Sequence, residues 1–118
     1  ITDLLATIAR LRGEGGCPWD RQQTTASMAP HLLEEAFEAA DALRRDDAAG
    51  AQEELGDVLV NVTMIARIAA EAGQFDFDAV AAAAAQKLVR RHPHVFGDRA
   101  VDGAEAALHG WERAKRSE

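Results

Sequence analysis

Between Glu53 and Ala70 the chain reads EELGDVLVNVTMIARIAA. Glu54, Asp57 and Asn61 recur at helical spacing, and Met64 and Ile68 continue the same stripe. Val58, Leu59, Val62 and Ile65 fill the rest of the circumference. A helix that is apolar nearly all round is a buried helix. The segment therefore predicts one from about Ala51 to Ala72, with Gly73 as its C-terminal cap. Its acids then lie in or beside the core, where an unpaired charge is costly. Two arrangements would relieve them: Arg or Lys from another helix, or a divalent cation shared with further carboxylates.

A second acidic group lies upstream, in LLEEAFEAAD over Leu32 to Asp41. Together the clusters read E-E-x-x-E, a gap of fifteen residues, then E-x-x-D. At about 100° per residue, Leu32, Leu33, Ala36, Ala40 and Leu43 form the predicted apolar face of this helix. Glu34, Glu38 and Asp41 gather on the opposite side, with Glu35 at their edge. Such a face is ordinarily just solvated. Yet four acids within two turns repel one another unless something positive sits there. If a metal is bound, oxygen-only carboxylate ligands suit Mg²⁺ or Mn²⁺ rather than zinc. A di-iron bundle would need Glu-x-x-His, and neither cluster contains His.

Outward from these clusters, the spacing predicts an all-α bundle of four to five helices in one domain spanning 1–118. The first helix covers about Asp3 to Arg12, and Gly13 to Gln23 is a loop. The second runs from near Thr25 to about Arg45. With Ser27 as its N-cap, Pro30 falls in the first turn, where its missing N–H costs no helical bond. The Asp46–Asp47 pair and Gly50 mark the break before the third. Asp76 or Asp78 caps the fourth, which reaches Arg91, and its run Ala81 to Ala85 suits close helix–helix approach. Asp102 and Glu105 resemble a capping box for a fifth helix ending near Arg116.

Composition fits this reading: 47% hydrophobic, 28% charged and no Tyr. The net charge of −7 argues against binding a nucleic-acid backbone, though a cation can carry phosphate to an acidic site. A single cysteine, Cys17, makes no internal disulfide, which reads as a reducing, cytoplasmic compartment. Neither a signal peptide nor an apolar span of transmembrane length is read. The sequence starts at Ile1 rather than Met, which leaves open whether the terminus is trimmed.

Positive charge concentrates in KLVRRHPHVFGD, with Lys87, Arg90 and Arg91. Such cations beside a carboxylate-held metal would make a phosphate site, although basic residues at a helix end also complement its dipole. Lys115 is a weaker candidate. Trp19, in the Gly/Pro loop, could stack on a nucleobase or simply anchor the loop.

The order GCPWD, LLEEAFE, EELGDVL, KLVRRHPHVFGD and WERAK resembles the MazG nucleoside triphosphate pyrophosphohydrolases over about Leu4 to Lys115. The acidic pair is shared by the wider all-α NTP pyrophosphatase superfamily; CPWD and RRHPHVFG in this order narrow it to MazG. The resemblance implies an all-α fold that dimerises, or forms a higher homo-oligomer, through helix packing. It also implies Mg²⁺-dependent hydrolysis of nucleoside triphosphates to the monophosphate and pyrophosphate. By motif position Glu35, Glu38, Glu54 and Asp57 would hold metal, and Glu34 would ligate or orient the attacking water. Arg90 and Arg91 match the phosphate-contacting pair, Lys87 and Lys115 accessory basic positions, and Trp19 and Asn61 contacts to base or sugar. Phe37 stands where Tyr is frequent, and Asn61 where Gln is. Two alternatives remain: a superfamily relative narrow for one nucleotide such as dUTP or dCTP, and a non-catalytic helical interaction module.

Overall fold

The computed structural model describes residues 1–98, 100 and 102–118. Seven helices and no strands occur among them: α1 Thr2–Arg12, α2 Pro18–Gln22, α3 Thr25–Arg44, α4 Ala48–Glu71, α5 Phe77–Arg91, α6 Pro93–Phe96 and α7 Gly103–Arg116. The two short helices, α2 and α6, begin at Pro18 and Pro93, where a missing N–H costs nothing, and neither was expected. No described helix is long and apolar enough to cross a membrane. The chain divides into two compact units, Ile1–Phe77 and Asp78–Glu118.

In the first unit α3 and α4 pack as an αα-hairpin, with α1 against α4. Its core is Ile8, Met28, Met64 and Ile68, with Leu4, Leu11 and Ile65 alongside. Buried Ala39, Ala42 and Ala51 carry little bulk between the two long helices near their joined ends. The turn is a Schellman motif: Asp46 N–H donates to the Leu43 carbonyl (3.2 Å) and Asp47 N–H to that of Ala42 (3.0 Å). Asp46 adopts the left-handed conformation there, φ 55°. At the far end Gly73 (φ 72°) does the same for α4, as its position predicts.

Helix starts differ from expectation. Thr24, not Ser27, caps α3: its hydroxyl accepts from Ser27 N–H (3.0 Å) while Ser27 Oγ accepts from Thr24 N–H (2.8 Å). Pro30 therefore lies beyond the first turn and leaves the Ala26 carbonyl without its helical donor. Gly50 does not break the chain; it lies inside α4, donating to the cap Asp47 at 3.0 Å. A Cβ on Gly50 would meet that carboxylate at 2.3 Å.

The buried face of α3 also differs. Met28, Ala39 and Ala42 are buried and Glu35 half-buried, while Leu33 and Phe37 are 74% and 69% exposed. Helix α4 packs on the stripe that contains Glu35, so the larger apolar residues turn away from it. On α4 the stripe Glu54, Asp57, Asn61, Met64, Ile68 faces inward as expected, but Leu55, Leu59 and Val60 are exposed. Its first half is thus buried along one side, whereas from Asn61 onward Thr63, Ala66 and Ala69 are buried as well, so that the second half is enclosed nearly all round as expected.

In the second unit Trp111 of α7 meets His92 (ring centroids 5.0 Å) and the Arg91 guanidinium (5.0 Å). Asp102 occupies the N-cap position of α7 but makes no side-chain cap bond, so the expected capping box is not formed. The run Ala81 to Ala85 is exposed.

Candidate functional site

The hairpin sets the site. Glu38 lies eight residues before Asp46 and Glu54 eight after it; Glu35 and Asp57 lie eleven on either side. In an αα-hairpin with so short a turn, positions equidistant from the turn face one another. Glu35 and Glu38 of α3 and Glu54 of α4 accordingly bring carboxylate oxygens within 4.8 Å of one another. Glu35 Oε2 and Glu54 Oε2 are buried without a hydrogen-bond partner. Among the described residues no Arg or Lys pairs with any of these acids, since the ion pairs there are Arg12–Glu71, Arg45–Asp41, Arg67–Glu71 and Arg90 and Arg91 with Glu118. Of the two ways to relieve the buried acids, the internal cation is thus not seen among the described residues.

Their electrostatics reflect this. Burial raises the Glu54 carboxyl to about 7, helped by its hydrogen bond to Glu38 and the charges of Glu38, Asp57 and Glu35. Glu35 is also raised, first by burial, then by Glu38 and Asp57, against a lowering hydrogen bond from Glu54. Near neutrality the cluster holds a proton in place of positive charge. Converging carboxylate oxygens, two of them buried and unpartnered, suit a hard divalent cation in that place.

Asp57 is half-buried and adds its charge to the cluster, but its oxygens are not among the three converging groups. Glu34 is exposed and outside the set. Asn61 is 7% exposed and donates from Nδ2 to the Asp57 carbonyl (2.9 Å), leaving a buried Oδ1 without a donor. A cleft of about 200 Å³ opens onto Glu38 and Glu54, walled by Phe37, Asp41, Ala42, Arg45, Asp47 and Gly50. Arg45 was not anticipated there; its i, i+4 spacing from Asp41, to which it pairs at 3.3 Å, was the available signal. On α2, Trp19 sets its ring edge against His31 (centroids 5.6 Å), one turn before Glu35 on α3.

The basic residues belong to the second unit. Arg90 and Arg91 both grip the Glu118 carboxylate, at 2.6 Å each. Arg91 first, then Arg90, lowers that carboxyl to about 2. The two guanidinia are thus arranged to share one two-oxygen anion. Lys87 and Lys115 are exposed.

Residues 23–96 match the MazG nucleotide pyrophosphohydrolase domain. The nucleoside triphosphate pyrophosphohydrolase of Escherichia coli (strain K12) is 46% identical over 119 residues, 100% of this chain and 45% of that protein. The nucleoside triphosphate pyrophosphohydrolase/pyrophosphatase MazG of Thermotoga maritima is 45% identical over 96 residues, 81% of this chain and 38% of its own length. The chain thus spans less than half the length of these curated relatives. The crystal structure of a mazG-related protein from Thermotoga maritima superposes with a TM-score of 0.79 at 26% identity, covering 98% of this chain and 99% of that one. Acids placed face to face by an all-helical hairpin, and a domain match over more than half of its length, carry one conclusion: the chain belongs to the MazG nucleotide pyrophosphohydrolase family.

Proposed function

We propose that residues 1–118 form a single domain that hydrolyses nucleoside triphosphates at the α–β phosphate linkage, releasing the monophosphate and pyrophosphate, with Mg²⁺ or Mn²⁺ as cofactor. The observation that carries this is the convergence of Glu35, Glu38 and Glu54, with two buried oxygens that no described cation relieves. These three, with Asp57 beside them, hold the metal. When bound, the ion supplies Lewis-acid polarisation of the phosphoryl oxygens and of the attacking water. Glu34 and Glu38 orient that water. Arg90 and Arg91, which already share one carboxylate, take phosphate oxygens in the same way, assisted by Lys87 and Lys115. Trp19 and Asn61 meet the base or sugar. No protein nucleophile is required.

The exposed Leu33 and Phe37 of α3 and Leu55 and Leu59 of α4 favour a homodimer or higher homo-oligomer built on the outer faces of the hairpin. The setting is cytoplasmic, with no nucleic-acid or membrane partner.

Product analysis tests the reaction: monophosphate plus pyrophosphate is expected, and diphosphate plus phosphate would overturn the assignment. A second reading, hydrolysis narrow for one nucleotide such as dUTP or dCTP, is favoured by the buried acceptor of Asn61, because an unpaired polar atom penalises substrates without a matching donor. Rates across the eight common NTPs and dNTPs separate broad from narrow. If Mg²⁺ with a nonhydrolysable nucleotide left Tm unchanged, a non-catalytic interaction module would replace both.

A further inference from the structure

Helix α2 is five residues long, and its N-cap Cys17 makes no side-chain cap bond. So short a helix does not hold itself together. What holds it is Arg12, whose side chain is only 8% exposed. From α1 its guanidinium forks onto Glu71 of α4, Nη2 to Oε1 at 2.7 Å and Nε to Oε2 at 3.0 Å. The remaining nitrogen, Nη1, donates to the carbonyls of Asp20 and, at 3.0 Å, Gln23, at the C-terminal end of α2. Gln23 in turn donates from Nε2 to the Trp19 carbonyl (2.9 Å) and accepts from Ser27 Oγ (2.7 Å).

The one large apolar side chain on this pinned helix is Trp19, and it is 49% exposed. A tryptophan that served only to anchor α2 would be buried. Instead its edge rests on His31 and much of its ring is open. His31 precedes Glu35 by one helical turn, about 6 Å along α3. On the reading proposed above, an aromatic surface beside His31, one turn from Glu35, is available to the base of a nucleotide whose phosphates reach the carboxylates. Holding that surface still before binding removes an ordering cost from binding itself.

We propose that the Arg12–Glu71 pair is a positioning device for nucleobase binding, acting through α2 and Trp19. This deepens the reading given above and rests on it for the identity of the ligand. The test is a double-mutant cycle on the full chain. It reads KM and kcat for NTP hydrolysis together with the Kd of a nonhydrolysable NTP in Mg²⁺. Trp19→Ala is expected to raise KM and Kd about tenfold, the scale of one base–aromatic stack. Arg12→Gln and the gentler Glu71→Gln are expected to raise both, with kcat within about twofold of wild type. Added to Trp19→Ala, neither should raise them further, although each should still lower Tm.

Additive effects in the double variants would overturn the positioning role, because a merely structural contact has no reason to lose its effect when Trp19 is absent. Unchanged KM and Kd in Trp19→Ala would overturn it too, while leaving the hydrolytic reading intact. A wild-type chain that binds nucleotide without turnover would end the hydrolytic reading instead, and the Kd cycle alone would then decide this one. Absence of any nucleotide binding would end both.

Discussion

Glu54 sits at the point where burial and repulsion meet, which is why its carboxyl is held at about 7 rather than the ordinary 4.5. A folded-state value above the unfolded one means that the native protein keeps the proton longer. The corresponding stability is fully present below about pH 4.5 and is lost as pH rises through about 7. The metal-free protein is therefore expected to lose Tm across that window. Mg²⁺ should restore it most strongly above pH 7, as thermal melts with EDTA and with Mg²⁺ would show; a metal-free Tm that rose between pH 5 and 7 would contradict the arrangement. The same repulsion makes a second outcome specific. Glu38→Ala and Asp57→Ala should each cut pyrophosphate release by at least about 100-fold while leaving Tm unchanged or raised, because each deletes a charge that its neighbours oppose. Rates near wild type in both would remove these residues from the site. Spacing made Glu34, Glu35, Glu38, Glu54 and Asp57 candidates and left their relief by Arg or Lys open; the family resemblance, not spacing, singled out Glu35, Glu38, Glu54 and Asp57 as ligands. The absence of a described cationic partner was not legible, because any Arg in the chain could have filled that role until side chains were placed.

Elements were legible where the signal is local. Periodicity located the five longer helices, and Gly73 marked the end of α4, because residues three or four apart share a face and only certain residues tolerate a left-handed cap. Starts were less legible: Thr24, Thr25 and Ser27 all look like caps, and only the reciprocal hydroxyl bonds of Thr24 and Ser27 choose between them. Thr24→Ala is expected to cost about 1 kcal/mol of unfolding free energy, read from urea denaturation. Ser27→Ala, which keeps the Thr24 acceptor, should cost less. Equal losses would place the cap elsewhere. Helix α2 escaped the sequence reading because five residues carry no periodicity, and what stabilises it is an arginine from α1.

At the scale of the whole molecule, the proposed homo-oligomer would cover the apolar residues of α3 and α4 that face away from the hairpin. Leu33 and Phe37 are among the most exposed large apolar residues of the single chain, at 74% and 69%. Phe37→Asp is expected to shift the protein toward monomer in sedimentation velocity. Activity should fall with it, since Phe37 also lines the cleft beside Glu38 and Glu54. A variant with unchanged mass in solution would move the interface to another face. Helical periodicity, the acidic spacing and the basic RRHPH run were all written locally, and so the all-α class and the candidate residues could be read from the chain directly. Which side of α3 turns inward could not. Periodicity says which side chains share a face but not what covers that face, and the cover comes from α4, distant along the chain. It took the packed hairpin to turn Glu35 toward Glu54 and Leu33 away, because contact between remote segments, not local conformational preference, sets which stripe loses its water.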